Sequence, residues 1–267
     1  MSMQRNKVSV ITVSYNAVHC IEETIKSVIS QDISDFEYIV VDGASMDGTR
    51  DVLESYKAFF TKYISEPDTG IYEAMNKAIN MAEGDYCIFM NAGDTFASSH
   101  VLKDVLPVLG SYDIYNGNAI YMKENVIRWY RKSQKDVSLP FFYKSSICHQ
   151  ATFIRTSLLK KYKYDESLSM VSDWKFWIEA ICKGKATYLP IDIDICFFDM
   201  SGLTNTHAER GEKERAFVLE FLLSKDEQDA CKKELGRRKE SIWTRLMKGL
   251  SRRFWLYYAK MFKKKTL

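Results

Sequence analysis

The sequence predicts an α/β fold: a Rossmann-like mixed sheet, mostly parallel in its first half and flanked by helices, followed by a helical tail. Three observations predict it. Apolar, β-branched runs alternate with helix-spaced apolar patterns over about the first 90 residues, as βαβ units around a parallel sheet require. The composition, 46% hydrophobic and 27% charged over 267 residues with 12 glycines and 4 prolines, supplies a full core and excludes a disordered, collagen-like or low-complexity chain. The charge is divided: residues 232–267 hold 13 Lys and Arg against Glu234 and Glu240, a local +11, while residues 1–231 hold 25 basic and 33 acidic residues, a local −8.

The elements follow from these patterns in chain order. Val8 to Ser14 reads as a buried strand, and residues 17–31 as a helix with apolar positions at Ile21, Ile25, Val28 and Ile29. Phe36 to Val41 is the second strand, and the polar Asp47 opens a helix from about Gly48 to Phe59. Tyr63 to Ser65, a helix from Ile71 to Ala82, and Tyr86 to Met90 complete the first half, which gives a nucleotide-binding architecture. In the second half Tyr112 to Met122 and Ile127 to Trp129 read as antiparallel strands, and Gln150 to Ile154 as a short one. A helix runs from Asp173 through Cys182, and Ile191 to Phe198 is the last strand.

Several classes are excluded. The six cysteines form no CxxC pair and no regular spacing, so neither a disulfide framework nor a zinc cluster is expected. No apolar run reaches about 18 residues, and Met1 to Lys7 lacks the apolar core of a signal peptide. The expected location is therefore the reducing cytoplasm.

In an open α/β sheet, ligands bind beyond the carboxyl ends of the strands. Those ends carry Ser14, Tyr15 and Asn16; Asp42, Gly43 and Asp47; Glu66, Asp68 and Gly70; and Asn91, Gly93 and Asp94. Neither GxGxxG after the first strand nor GxxxxGK[ST] is present, which argues against nicotinamide and P-loop sites. Carboxylates with a divalent metal can bind a nucleotide instead: Asp42 can accept a base N–H, and Asp94 can hold Mg²⁺ or Mn²⁺ against a diphosphate. Asp and Gly are also common in turns, but recurrence at four consecutive strand ends favours a site.

VSVITVSYNAVHCIEETIKSVISQ, YIVVDGASMDGT, SEPDTGIYEAMNKAI and GDYCIFMNAGD together resemble, in order and spacing, the family 2 glycosyltransferases of the GT-A fold, over about residues 7–205. EPDTGIYEAMNK and the N-x-G-D segment are most similar to the branch that builds bacterial surface polysaccharides. The resemblance implies that Tyr15 and Asp42 contact the base, that Asp68, Asn76 and Lys77 face the donor, and that Asp94 binds the metal. It further implies that Asp173 takes the acceptor proton, that His149 and Gln150 line the acceptor pocket, and that His207 or Arg210 supplies charge to the leaving group from a mobile segment. Asn91 and Gly93 stand where that family often has carboxylates. Structural alternatives exist: Ser172 or Asp173 as a helix N-cap, Asn76 and Lys77 as surface helix residues, His149 as a satisfied buried group.

What the resemblance implies is a GT-A domain at 1–231 acting as an inverting, metal-dependent hexosyltransferase. Its donor would be a UDP-linked nucleotide-sugar and its acceptor a lipid-linked or growing glycan. The alternative is a noncatalytic nucleotide-sugar or glycan binding protein with a decayed metal site. The tail, 232–267, carries Trp243, Leu246, Met247, Leu250, Phe254, Tyr257, Tyr258 and Met261 at helical spacing among basic residues. That pattern predicts an interfacial helix on an anionic membrane, placing the protein peripherally on the inner face of the cell membrane. Packing onto the catalytic domain or onto a second copy as a homodimer is the alternative, and nucleic acid is not an expected partner.

Overall fold

The computed structural model describes residues 7–201 and 208–237. Residues up to Val218 make one compact unit and those from Leu219 another. In the first unit the described strands join in one sheet, ordered β3-β2-β1-β4-β8-β6-β9-β5, with β7 paired to β6.

The parallel half is β1 (Val8–Ser14), β2 (Phe36–Asp42), β3 (Lys62–Ser65) and β4 (Tyr86–Phe89). Every residue of β1 is buried, as a central parallel strand covered on both faces requires: Val8, Val10, Ile11 and Val13 are apolar, and the Ser9, Thr12 and Ser14 hydroxyls find partners in Glu37, Met90 and Asp42. The covering helices are α1 (Ile21–Ile29), α2 (Thr49–Tyr56) and α3 (Ile71–Met81); α1 buries Ile21, Thr24, Ile25 and Val28, one face at three- and four-residue steps. The register sets Ser14 beside Asp42 and Asp42 beside Ser65, so three strand ends open at one edge.

The other half is mixed. β8 (Thr152–Arg155) runs antiparallel between β4 and β6 (Ile114–Lys123), and β9 (Tyr188–Asp199) lies parallel to β6. β6 and β7 (Val126–Arg131) form the expected antiparallel pair, turned through Glu124 and Asn125 with φ of 52° and 59°, as a two-residue primed hairpin turn demands.

The structure departs from the sequence reading in places. The strand expected from Gln150 starts at Thr152, because His149–Ala151 form a single 3₁₀ turn. The helix expected from Asp173 to Cys182 divides into α7 (Ser172–Trp177) and a π-helical turn at Ile178–Lys183. Four short elements were not anticipated: β5 (Thr95–Phe96), α4 (Val101–Val105), α5 (Leu139–Lys144) and α6 (Thr156–Tyr162). Nor was α8 (Ala208–Leu222), whose first turns lie in a segment read as a polar loop. Its Glu209–Lys213 and Arg210–Glu214 pairs support a helix that apolar periodicity does not reveal. In the second unit, a helix at 225–237 opens with a capping box, Ser224 accepting from the Glu227 N–H at 3.2 Å while Glu227 accepts from the Ser224 N–H at 2.8 Å.

Candidate active site

Asp42 ends β2 wholly buried. Its Oδ1 accepts from Ser14 Oγ (3.0 Å) and Ser45 Oγ (2.5 Å), its Oδ2 from the Ser45 N–H (2.9 Å) and Ser65 Oγ (2.7 Å). Four donors fill the four acceptor positions of a carboxylate. Asp42 thus ties the ends of β1, β2 and β3 together. The next residue, Gly43, is where Tyr15 and Asp68 converge: a Cβ there would lie 2.6 Å from Asp68 Oδ2 and 3.1 Å from Tyr15 Cδ2, so any larger residue would push the Asp68 carboxylate aside. Burial raises the Asp68 carboxyl above its usual range, although Oδ1 accepts the Gly70 N–H at 3.0 Å. The Tyr15 side chain is 66% exposed, and its ring beside a carboxylate oxygen offers a stacking face and an acceptor.

Beyond β4, Asn91 to Asp94 form a tight turn closed by the Asp94 N–H on the Asn91 carbonyl at 2.9 Å. Asp94 is 4% exposed, and burial pushes its carboxyl well above the ordinary carboxylate range. Its Oδ1 accepts the N–H of Asp199, at the end of β9, at 2.9 Å. The Asp199 carboxylate packs on Gly93, whose φ of +100° lies in the left-handed region and whose missing Cβ leaves 3.1 Å to Oδ2. Asn91 Oδ1 is buried without a hydrogen-bond partner among the described residues. Among the described residues no three His, Cys, Asp or Glu side chains form a metal cluster. The set here is two carboxylates and an orphaned amide oxygen, all hard donors that fit Mg²⁺ or Mn²⁺. Asp199, which sequence reasoning missed, stands where the substitutions Asn91 and Gly93 leave the local motif short of carboxylates.

Asn91 also lines a cleft of about 560 Å³ shared with Tyr72, His149, Gln150, Asp173 and Arg215. Asp173, in the first turn of α7, makes no capping hydrogen bond; its Oδ1 instead accepts from the Tyr72 hydroxyl of α3 at 3.0 Å. Burial, reinforced by the Asp173 charge, pushes that hydroxyl well up, so it remains a donor. His149 is buried, stacked on Phe89 at 4.6 Å, with Nε2 2.6 Å from the Tyr164 hydroxyl. Burial lowers its pKa to about 4, which makes it a neutral wall of the cleft near pH 7. Gln150 lines the same wall.

Other expected residues lie elsewhere. Asn76 does not line the cleft: its Nδ2 donates to the Tyr164 carbonyl and to Glu166, each at 2.8 Å, and its Oδ1 accepts the Tyr164 N–H at 2.9 Å. Lys77 pairs with Glu66 and Glu73, each at 3.0 Å, and donates to the Pro67 carbonyl, which anchors the loop that carries Asp68. Arg210 pairs with Glu214 at 3.3 Å on α8, and His207 lies outside the described residues.

A family model described as glycosyl transferase family 2 matches residues 9–167. The chain belongs to that family. Among curated relatives of this glycosyltransferase, a PGL/p-HBAD biosynthesis glycosyltransferase of Mycobacterium bovis is 26% identical over 210 residues, covering 76% of this chain and 80% of its own. A glycosyltransferase of Mycobacterium tuberculosis, uncharacterised, is 31% identical over 211 residues, covering 76% and 78%. Among solved structures, Staphylococcus aureus TarS 1-349 in complex with UDP-GlcNAc aligns with TM-score 0.63 at 23% identity over 84% of this chain and 70% of that one. A mannosyltransferase of Pyrobaculum calidifontis, in complex with GDP-Man and Mn²⁺, aligns with TM-score 0.55 at 17% identity over 72% and 57%. These likenesses show the GT-A fold. The chain spans 60% of the length of TarS 1-349 in its UDP complex.

Proposed function

We propose that this family 2 glycosyltransferase transfers a sugar, with inversion, from a UDP-linked donor to a hydroxyl of a lipid-linked or growing surface glycan. The observation that carries the reading is one cleft with an uncapped carboxylate, Asp173, and the buried oxygen of Asn91 on its wall, with Asp94 and Asp199 adjoining Asn91. Solved complexes of TarS with UDP-GlcNAc and of the mannosyltransferase with GDP-Man and Mn²⁺ support the donor class and the metal.

In this reading Tyr15 and Asp68 face the base, Asp42 anchors the strand ends beneath that contact, and Lys77 and Asn76 hold the flanking segments. Asn91, Asp94 and Asp199 would hold the cation, which when bound neutralises charge on the leaving diphosphate. Asp173 takes the acceptor proton as the acceptor oxygen bonds to the anomeric carbon and the bond from that carbon to the phosphate oxygen breaks. A single displacement of this kind inverts the anomeric centre. Tyr72 orients Asp173, and His149 and Gln150 line the acceptor side. The basic tail, which lies outside the described residues apart from 232–237, would bring the enzyme to an anionic membrane surface.

Asp173→Asn tests the base. With Mn²⁺ and a panel of UDP-sugars, the variant should keep its UDP affinity and lose transfer by about 10² or more, the usual scale for a general base. Near-normal turnover would remove Asp173 from the mechanism. Tight donor binding with neither transfer nor hydrolysis in the unmutated enzyme would favour the noncatalytic reading.

A further inference from the structure

Three cations line the Asp173 cleft: Arg131 at the end of β7, Lys144 at the end of α5, and Arg215 on α8. Among the described residues Arg131 donates only to neutral oxygens, the Tyr121 hydroxyl (3.4 Å), Ser145 Oγ (3.1 Å) and the Ser146 carbonyl. Arg215 lies over the Trp174 ring, 4.8 Å from its centroid, with no hydrogen bond or ion pair among the described residues. Lys144 also has none among them, but it is exposed, so the comparison concerns Arg131 and Arg215. Comparable half-buried cations elsewhere in the fold are paired: Arg155 with Asp113 at 3.1 Å, Lys175 with Asp165 at 2.7 Å, Lys62 with Glu37 at 2.9 Å. The carboxylates lining the cleft are Asp173, which accepts from Tyr72, and Glu212, which is exposed and forms no ion pair among the described residues.

The Asp173 and Glu212 charges act on Arg215 at longer range, but neither meets it in an ion pair among the described residues, and a guanidinium drawn out of water cannot shed its proton to relieve the cost. The same group, preset in a cleft, gains most from an oxyanion that completes it with paired N–H donors. Its position identifies the oxyanion. Arg215 stacks on Trp174, the residue after Asp173, and so stands on the side of the base; the donor's diphosphate is accounted for by the oxygen ligands of Asn91, Asp94 and Asp199.

We propose that Arg131 and Arg215, with Lys144 at the rim, form an anion subsite that selects acceptors bearing a carboxylate or a phosphate near the hydroxyl to be glycosylated. The proposal rests on the glycosyltransferase reading and narrows its acceptor class to acidic glycans or phosphate-bearing carriers. Arg131, held by fixed oxygens, presents a preset edge, whereas Arg215 is supported on the Trp174 ring. Cation–π support of this kind preserves the charge without neutralising it.

The test uses the full-length protein saturated with UDP and Mn²⁺, titrated with glucose, glucuronate and glucose 6-phosphate, with intrinsic fluorescence, to which Trp174 contributes, as the readout. One of the two anionic sugars should bind at least about tenfold tighter than glucose, as a charge-assisted bidentate contact permits, and the one that does names the group. Arg215→Gln should erase about tenfold of that preference and leave UDP affinity unchanged; Arg131→Gln should act in the same direction. Equal binding of the three sugars, or binding of none, overturns the proposal. Weaker UDP binding in Arg215→Gln with sugar binding intact also overturns it, by assigning the guanidinium to the leaving group. If Arg215→Gln fails to fold, salt decides: the anionic preference of the unmutated protein should shrink between 0.05 and 0.5 M NaCl, and a salt-independent preference refutes it. Failure of the unmutated protein to bind UDP would instead sink the donor reading, an outcome separable from all of these.

Discussion

Burial, outweighing the pull of the Asp173 charge, keeps His149 neutral, and that has a measurable consequence for stability. Its folded pKa of about 4 lies below the ordinary 6.5, so between these values the unfolded chain takes up a proton that the native protein refuses. The His149 contribution is therefore fully present above pH 6.5 and is lost as the pH falls toward 4, by on the order of 3 kcal/mol. Urea unfolding between pH 7 and 4 should show a steeper loss in the parent than in His149→Gln, and the His149 ring resonances should shift only as the pH approaches 4. A ring that titrates near 6.5 would contradict its burial. The metal set gives a second prediction: Asp199→Ala should weaken UDP binding in Mn²⁺ by at least the roughly tenfold that even an outer-shell partner of a metal costs, and scarcely change it in EDTA. Equal loss in both would mean that Asp199 acts only through packing on Gly93. The strand-end positions of Asp94 and Tyr15 could be read from the sequence, because α/β sheets place ligands beyond the carboxyl ends of their strands. Asp199 was not, since it meets Asp94 across 105 positions and no local motif spans that separation.

The element that organises the site is α3. Tyr72 and Asn76 are four residues apart, so they share a helix face, and both reach one segment: Tyr72 bonds Asp173, and Asn76 bonds Tyr164 and Glu166. Asn76 was expected at the donor; its amide instead fastens the stretch that leads to α7. Asn76→Ala leaves the buried N–H and carbonyl of Tyr164 without their partner, at a cost of about 2–4 kcal/mol for two buried polar groups, readable as a lower urea midpoint with an unchanged m value. A loss below about 0.5 kcal/mol would show that the staple is dispensable. How far elements could be read depended on length and burial. β1, β2 and β4 are rich in apolar and β-branched residues and α1 has a clear apolar face, whereas β5, α4, α5 and α6 are two to seven residues long, too short for a period to repeat. α8 failed for the opposite reason, a long helix whose first turns are almost entirely polar.

At the scale of the whole molecule, the charge division of the sequence remains to be used: −8 over residues 1–231 against +11 over 232–267. No helix among the described residues is long and apolar enough to cross a membrane. The sequence of the tail offers two separable contributions to contact with a membrane surface. Each Lys or Arg near an anionic leaflet contributes about 1 kcal/mol and is screened by salt, while the Trp243, Phe254 and Tyr258 stripe adds an apolar term that salt leaves intact. Full-length protein should therefore bind vesicles containing phosphatidylserine, release most of that binding in high salt, and lose nearly all of it when residues 240–267 are removed. The truncated protein should still bind UDP with Mn²⁺, because every residue assigned to the donor and base lies at or before Asp199. Two results would reverse the reading. Indifference of the full-length protein to anionic vesicles at low salt, or a monomer–dimer change on truncation with vesicle binding preserved, would make the stripe a packing surface for this chain or a second copy of it.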